Sequence, residues 1–242
     1  MSTEMITEAI GRDHPAPEPG VQRLVVCGTD TDVGKTVVSA LLVQGLAAHY
    51  WKPVQCGLDN GEGDRERLGR WLGIGADRLL PEAYRFEHPV SPHWAAELAS
   101  GDPGQPGPPI EPERLELPTL TGSLVVESAG GLLVPLRRDW LQIDQIQRWG
   151  LPVLLVARSG LGTLNHTLLS LEALQRRRIP VLGLLLNGPD HADNPRTLEQ
   201  LGGVPLLGCL PPLATVDAAN LTEQWHALEL SHKLGSAPEP GA

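Results

Sequence analysis

Short apolar runs alternate with longer amphipathic stretches along most of this chain of 242 residues. The apolar runs are rich in Val and Leu, which is typical of strands buried on both faces of a sheet. The predicted strands are residues 24–27, 50–55, 124–126, 132–136, 152–157, 181–186 and 205–210. The predicted helices are residues 34–49, 64–72, 94–99, 140–149, 164–178, 195–201 and 218–230. This alternation predicts an α/β fold with a doubly wound, mostly parallel sheet.

Glycine and proline, which occur 27 and 23 times, are concentrated outside this pattern. A proline-rich stretch predicts a disordered leader at residues 1–20, and a loose tail is predicted at residues 233–242. A further Pro/Gly-rich loop is predicted at residues 102–112. The remaining residues, 21–232, are long enough for a single domain with its own core.

The charge balance limits the class of partner. With 19 Lys and Arg against 29 Asp and Glu, the net charge is −10, which argues against a nucleic acid or a membrane as the main partner. No apolar stretch has the length of a membrane helix or the position of a signal peptide. The three cysteines lack metal-ligand spacing, so a reducing cytoplasm is the expected location. Only three lysines are present, Lys35, Lys52 and Lys233.

The loop after the first predicted strand has the chemistry of a phosphate-binding P-loop. Residues 28–36 read Gly-Thr-Asp-Thr-Asp-Val-Gly-Lys-Thr and join a predicted strand to a predicted helix. Backbone N–H groups would bind phosphates, Lys35 would add positive charge and the Thr36 hydroxyl would bind Mg²⁺. The spacing from Gly28 to Gly34 exceeds the standard pattern by one residue. The alternative is a glycine-bearing cap of a buried helix.

Two acidic residues of this loop, Asp30 and Asp32, would repel phosphate oxygens. We therefore expect one of them to face a cation, either a metal or an amine of the substrate. Lys52 lies at the carboxyl end of the second predicted strand, and so near the rim of the P-loop that contains Lys35. Two of only three lysines at neighbouring strand ends favour a shared anionic ligand over the alternative, a Lys52 side chain in solvent.

Together these residues resemble the dethiobiotin synthetases of biotin biosynthesis. In that family the first loop reads Gly-Thr-Asp-Thr-acidic-Val-Gly-Lys-Thr, which residues 28–36 match throughout. The family's second motif, Lys-Pro-Val-x-Ser-Gly, is matched by residues 52–57, except that Cys56 stands for the serine. Weaker similarities lie at residues 89–93, 126–131 and 162–166 and at Asn187. The resemblance covers residues 23–230 and implies a P-loop NTPase type of sheet.

The resemblance implies an ATP- and Mg²⁺-dependent ligase that inserts CO₂ between the two amines of 7,8-diaminopelargonic acid. One amine would capture CO₂ as a carbamate, which would attack the γ-phosphate of ATP to form a carbamic-phosphoric anhydride. The second amine would close the ureido ring and expel phosphate. Lys35 and Lys52 are the expected catalytic residues, because the carbamate, phosphoryl and phosphate groups are all anionic.

The resemblance also implies which residues bind each component. The expected Mg²⁺ ligands are Thr36, Asp64 and Glu127. The expected ATP-binding residues are Asp32, Val33, Gly34, Lys35, Thr36, Val37, Asp64, Glu127, Ser128, Ala129, Gly130, Asn187, Gly188, Pro211, Pro212 and Leu213. The expected diamine-binding residues are Thr31, Asp32, Lys52, Cys56, Gly162, Thr163, Leu164 and Asn165. In the family the last four reach the neighbouring subunit's site, which implies a homodimer.

Some of these residues have a simpler alternative role, and two depart from the family pattern. Asp64 could cap a helix N-terminus, and Asn187 could serve a turn before Gly188. The family usually has serine at Cys56 and glycine or alanine at Ser128. Because a thiol is a weaker hydrogen-bonding group than a hydroxyl, cysteine in place of serine at position 56 is expected to affect the affinity for the diamine more than the type of reaction.

Other function classes share the P-loop. A partitioning or metal-insertion ATPase switch typically carries a second lysine near its first glycines, where this chain has Thr29 and Asp30. A carboxylate-amidating, cobyrinate-type synthase would need a second, glutamine-using domain. A regulatory module that only binds a nucleotide would not need Lys52 together with Asp32. A small-molecule synthetase is therefore the expected function.

Overall fold

The computed structural model describes residues 20–99 and 106–235. Ten strands lie in these residues: β1 (Arg23–Gly28), β2 (His49–Trp51), β3 (Val54–Cys56), β4 (Tyr84–Phe86), β5 (Leu124–Gly131), β6 (Pro135–Arg137), β7 (Trp140–Leu141), β8 (Val153–Arg158), β9 (Val181–Asn187) and β10 (Leu206–Leu210). The same residues form eight α-helices: α1 (Lys35–Gly45), α2 (Asp64–Leu72), α3 (Pro92–Leu98), α4 (Gln142–Trp149), α5 (Thr163–Arg176), α6 (Asn194–Gly202), α7 (Ala218–Ala227) and α8 (Leu230–Gly235). A 3₁₀ helix (Pro112–Leu115) precedes β5. None of the helices in the described part of the chain has the length and apolarity needed to cross a bilayer.

The central sheet contains six parallel strands in the order β10-β9-β8-β1-β5-β2. Successive side chains of a strand point to opposite faces, so β1 contributes to two cores. Val25 belongs to a buried cluster with apolar residues of α4, α5 and α6. Leu24 and Val26 belong to a second cluster, with residues of α1, α2 and α7. A parallel sheet with helices on both faces confirms the predicted doubly wound α/β fold.

The predicted strand at residues 50–55 is two strands. β2 ends at Trp51 in the central sheet, whereas β3 begins at Val54 and pairs with β4 in a separate two-stranded parallel sheet. Pro53 lies between them and has no N–H group to donate to a neighbouring strand, which explains the break. β4 is absent from the prediction because it has three residues and a charged one, Arg85, at its centre.

The segment after β5 also differs from the prediction. Instead of one strand at residues 132–136, the chain turns and then forms an antiparallel hairpin of β6 and β7. The helix predicted at residues 140–149 accordingly begins at Gln142, because β7 occupies the first two positions. The 3₁₀ helix and α8 are absent from the prediction because both are too short for helical periodicity to show.

The predicted leader and tail lie mostly outside the described residues. Residues 1–19 and 236–242 are outside, as are residues 100–105, which include part of the predicted Pro/Gly-rich loop. The tail is predicted from residue 233, but α8 continues to Gly235. Lys233 belongs to this helix, and its Nζ donates to the backbone oxygen of Leu207 at 3.0 Å. The third lysine therefore attaches α8 to the edge strand β10.

Candidate active site

The loop between β1 and α1 encloses a buried ammonium group. Gly34 precedes α1 with a φ of +96°, a conformation that favours glycine, and a Cβ atom there would overlap the Asn187 side chain. Lys35, the first residue of α1, is buried, and its Nζ donates to the backbone oxygen of Asp30 at 2.7 Å. Burial lowers the pKa of Lys35, and the charge of Glu127 opposes this shift. The helix N-terminus and this ammonium group together form a binding surface for an anion.

Glu127 is a fully buried charge at the centre of the site. It lies in β5, and its carboxylate accepts three hydrogen bonds. Thr36 Oγ1 and Lys52 Nζ each donate to Oε1 at 2.9 Å, and the Tyr50 hydroxyl donates to Oε2 at 3.0 Å. Burial and the Glu127 charge raise the pKa of Tyr50 well above its ordinary value, so the hydroxyl remains a donor. These partners offset the unfavourable burial of a carboxylate.

Lys52 joins Glu127 to a second carboxylate. Lys52 directly follows β2, is buried, and forms ion pairs with Glu127 and with Asp64, the first residue of α2. Asp64 also accepts a hydrogen bond from Arg67 at 3.0 Å, and its N–H donates to Gln55 Oε1 at 3.1 Å. Burial alone would lower the pKa of Lys52, but the two carboxylates raise it above its ordinary value. The Lys52 side chain is therefore a permanent cation between two anions.

These groups face one cavity of about 770 Å³. The predicted site residues that line it are Thr31, Asp32, Gly34, Lys35, Thr36, Val37, Lys52, Cys56, Asp64, Glu127, Ala129 and Gly130. Residues 89–92, which belong to a motif with no role assigned from sequence, form another part of the wall, as do Leu58 and Trp71. Both predicted catalytic lysines therefore open onto a single space of the size that small-molecule ligands occupy.

The residues predicted to bind adenine do not line this cavity. Asn187 ends β9, and its Nδ2 donates to the backbone oxygen of Val33 at 3.2 Å. The next residue, Gly188, donates its N–H to the Leu210 oxygen at 3.0 Å. Two further predicted residues, Val33 and Ser128, are themselves buried. The segment predicted to pack on adenine follows β10 and comprises Pro211, Pro212 and Leu213.

The loop predicted to bind the substrate carboxylate, residues 162–165, also lies outside the cavity walls. Gly162 precedes α5 with a φ of +90°, and Asn165 is exposed. Thr163 is buried, and its hydroxyl lies 3.2 Å from that of Thr167. Within one chain, therefore, the four residues predicted to meet the diamine carboxylate do not meet the residues around Lys52.

The geometry also bears on two expectations from the sequence. Gly63, not Asp64, precedes the first turn of α2, so Asp64 is not the capping residue. Asp30 lies 3.6 Å from the guanidinium group of Arg158, at the end of β8. The sequence predicted a metal or a substrate amine opposite one of the acidic P-loop residues, whereas the cation beside Asp30 is an arginine of this chain. No motif marks Arg158, and it is absent from the sequence prediction.

Comparison with known proteins places this site in a family. A family model described as an AAA domain matches residues 22–220. A curated relative from Rhodopseudomonas palustris strain BisB18, named ATP-dependent dethiobiotin synthetase BioD, is 50% identical over 199 residues, 82% of this chain and 91% of the relative. The chain belongs to the dethiobiotin synthetase family. A synthetase of the same name from Nitrobacter hamburgensis is 47% identical over 201 residues, 83% of this chain and 91% of that protein. The predicted family, and with it the prediction of a ligase, are confirmed.

Solved structures with low sequence identity to this member of the dethiobiotin synthetase family share its fold. The septum site-determining protein MinD from Pyrococcus horikoshii, complexed with Mg-ADP, has a TM-score of 0.51 and 15% identity, and the match covers 88% of this chain and 94% of MinD. The MinC:MinD complex of Aquifex aeolicus has a TM-score of 0.50 and 12% identity, with 88% and 93% covered. Similarity at this level confirms the predicted P-loop NTPase type of fold and nothing further.

The donors around Lys52 suit Mg²⁺, the metal predicted for a dethiobiotin synthetase. No group of three or more His, Cys, Asp or Glu side chains in residues 20–99 and 106–235 is arranged to hold a metal ion. The predicted ligands are instead one hydroxyl, from Thr36, and two carboxylates, from Asp64 and Glu127, and these carboxylates already share one cation. A small set of oxygen donors suits Mg²⁺, because this ion keeps several of its waters and takes further ligands from the phosphates of the nucleotide.

Two side chains that support the predicted ligands were missed by sequence reasoning. Tyr50 contacts Glu127, and Gln55 contacts the N–H of Asp64. Each lies in a strand within three residues of Lys52, and each brings a polar group to a buried position. This proximity to Lys52 is the only signal that the sequence offers for either residue. The partner of Tyr50 could not be identified from sequence, because Tyr50 and Glu127 are 77 residues apart.

Proposed function

We propose that this chain catalyses ATP-dependent ring closure of 7,8-diaminopelargonic acid with CO₂, giving dethiobiotin, ADP and phosphate in biotin biosynthesis. The observation that carries the proposal is the position of Lys52, whose ammonium group lies in the same cavity wall as the P-loop lysine. Family membership supplies the identity of the substrates, and the cavity supplies a place where two cationic side chains meet.

The chain's own groups account for the stabilisation of developing charge. We propose that the P-loop N–H groups and Lys35 bind the phosphates of ATP, and that Lys52 stabilises the carbamate oxygens and the transferring phosphoryl group. The carbamate oxygen forms a bond to the γ-phosphorus while ADP leaves, and the second amine then attacks the carbamate carbon and expels phosphate. Thr36, Asp64 and Glu127 would hold Mg²⁺, which when bound neutralises phosphate charge.

The remaining predicted ATP contacts are assigned to the loops beside the P-loop. We propose that Asn187 reads adenine through its amide, with Gly188 and the segment at residues 211–213 against the base. Support comes from the contact of the Asn187 Nδ2 with the Val33 oxygen, which places this side chain directly against the phosphate loop. The phosphate groups of ATP would be contacted by the backbone of the remaining predicted residues, Val33, Val37, Ser128, Ala129 and Gly130.

The diamine is assigned to the cavity around Lys52. Thr31, Asp32 and Cys56 line that space together with Lys52, and the carboxylate of Asp32 suits an amine. Gly162, Thr163, Leu164 and Asn165 would bind the substrate carboxylate in the neighbouring subunit's site. A homodimer would resolve the separation of this loop from Lys52 within one chain.

Exposed apolar side chains support the dimer. Leu161, next to Gly162, is 99% exposed. Leu169 on α5 and Leu201 on α6 are also exposed, and α5 packs against α6. Large apolar side chains exposed on neighbouring elements are consistent with an interface. Small-molecule substrates, an acidic chain and free cysteines fit a cytoplasmic enzyme without a nucleic-acid or membrane partner.

Release of phosphate from ATP should require both bicarbonate and 7,8-diaminopelargonate. Without either one, no carbamate forms to accept the γ-phosphoryl group. The measurement is steady-state phosphate release with each component omitted in turn, with dethiobiotin assayed in parallel. Turnover of ATP that does not depend on the diamine would contradict the proposal and favour the ATPase switch.

Replacing Cys56 with serine should preserve or increase apparent affinity for the diamine. Burial raises the pKa of Cys56 to about 12, although Lys52 acts to lower it, so at neutral pH the group is a weakly hydrogen-bonding thiol. A hydroxyl makes stronger hydrogen bonds, whereas Cys56→Ala makes none and should raise the KM for diamine. The KM for ATP should not change in either variant. A large loss of activity in Cys56→Ser would assign this thiol a different role.

Light scattering should give a molecular mass twice that of the single chain. Leu169→Asp places a charge on the exposed face of α5 and should shift the protein toward monomer, with a higher KM for diamine because the site then lacks its second subunit. Leu98→Asp, on the separate helix α3, is the matched control and should remain dimeric. A monomeric wild-type protein with full activity would refute the shared site.

A further inference from the structure

A tyrosine outside every motif contacts the buried carboxylate of the site. Tyr50 is fully buried in β2, and its hydroxyl donates to Glu127 Oε2 at 3.0 Å. We propose that Tyr50 is a positioning residue that holds Oε2 of Glu127, so that a divalent cation meets only Oε1. This inference rests on the proposed function in one respect, the role of Glu127 as a metal ligand.

Strand register brings these two side chains together. β2 and β5 pair in parallel with Tyr50 beside Val125, so the side chains of Tyr50 and Val125 lie on the same face of the sheet. Glu127 is two residues beyond Val125 and points to that face as well. Tyr50 and Val125 belong to the same buried apolar cluster, which fixes the tyrosine ring. The hydroxyl therefore reaches Glu127 from a rigid strand.

The two oxygens of Glu127 have different partners. Oε1 accepts from Thr36 and Lys52, which are a predicted metal ligand and the cation of the site, whereas Oε2 accepts from Tyr50. A hydroxyl on Oε2 prevents the carboxylate from turning so that both oxygens face the cavity. Loss of that hydroxyl leaves Oε2 buried without this donor and the carboxylate held only through the partners of Oε1.

This difference between the oxygens bears on metal selectivity. Mg²⁺ requires near-octahedral geometry and takes one oxygen from each carboxylate, whereas Ca²⁺ accepts more ligands and often binds both oxygens of one carboxylate. A Glu127 held by one oxygen favours the smaller ion. Tyr50 therefore acts, through Glu127, on both the affinity of the site for a metal and the discrimination between Mg²⁺ and Ca²⁺.

The test compares the two tyrosines of the chain, Tyr50 and Tyr84. Tyr50→Phe removes only the hydroxyl, and Tyr84→Phe is a matched control, since the Tyr84 hydroxyl accepts from Glu111 N–H at 2.9 Å away from Glu127. Binding of Mn²⁺ is measured by electron paramagnetic resonance in the presence of a non-hydrolysable ATP analogue, and Ca²⁺ and Mg²⁺ are titrated as competitors.

Tyr50→Phe should weaken Mn²⁺ binding by roughly 10-fold or more, as loss of a hydrogen bond to a metal ligand generally does. Ca²⁺ should compete better relative to Mg²⁺ than in the wild type. Tyr84→Phe should bind all three ions as the wild type does. Unchanged Mn²⁺ affinity and unchanged Ca²⁺ competition in Tyr50→Phe would overturn the inference, even if the variant is less stable.

A double-mutant cycle with Glu127→Gln keeps the inference testable if Tyr50→Phe is poorly stable. In the Glu127→Gln background, Tyr50→Phe should cause no further loss of metal affinity. A loss of the same size in both backgrounds would show that Tyr50 does not act through Glu127. Dethiobiotin formation by the wild type is assayed separately, so a wild type that binds metal as described but makes no product would refute the function and leave the Tyr50 inference standing.

Discussion

The site depends on the burial of Glu127 in a parallel sheet. A carboxylate in this position is stable only with donors on both oxygens, and Thr36, Tyr50 and Lys52 supply them. Lys52 is in turn buried and needs its anions, of which Asp64 is the second. The P-loop helix, two adjacent strands and α2 are thereby connected through a few charged atoms, and the same atoms carry the proposed chemistry.

The backbone has to meet strict requirements to bring these groups together. Gly34 must lack a Cβ because the Asn187 side chain occupies that space, and this contact joins the P-loop to β9. Pro53 ends the pairing of β2 directly after Lys52, so the chain leaves the central sheet and forms β3. The cavity lies where these departures occur, at the carboxyl ends of the strands, as expected for ligand sites of open parallel sheets.

The sequence predicted the fold class and the local motifs well, because a P-loop is a contiguous strand, loop and helix with distinctive residue types. It placed Lys35, Lys52, Asp64 and Glu127 in one site by resemblance, and the structure brings all four to one cavity. Tyr50 was not predicted, because its role depends on strand register and on a partner distant in sequence. Short elements such as β4 and α8 contain too few residues for any period to be recognised.

The most direct test of the central claim is the thermal stability of Lys52→Gln with and without Mg²⁺, against Lys233→Gln as control. Removing the shared cation leaves the carboxylates of Asp64 and Glu127 without their common counter-charge. We therefore expect the free energy of unfolding to fall by about 3–5 kcal/mol, which corresponds to a decrease of roughly 10 °C in Tm. Mg²⁺ should then raise the Tm of Lys52→Gln more than that of the wild type, because no ammonium group competes for the carboxylates. A Lys52→Gln protein as stable as the wild type, with no greater response to Mg²⁺, would contradict the account.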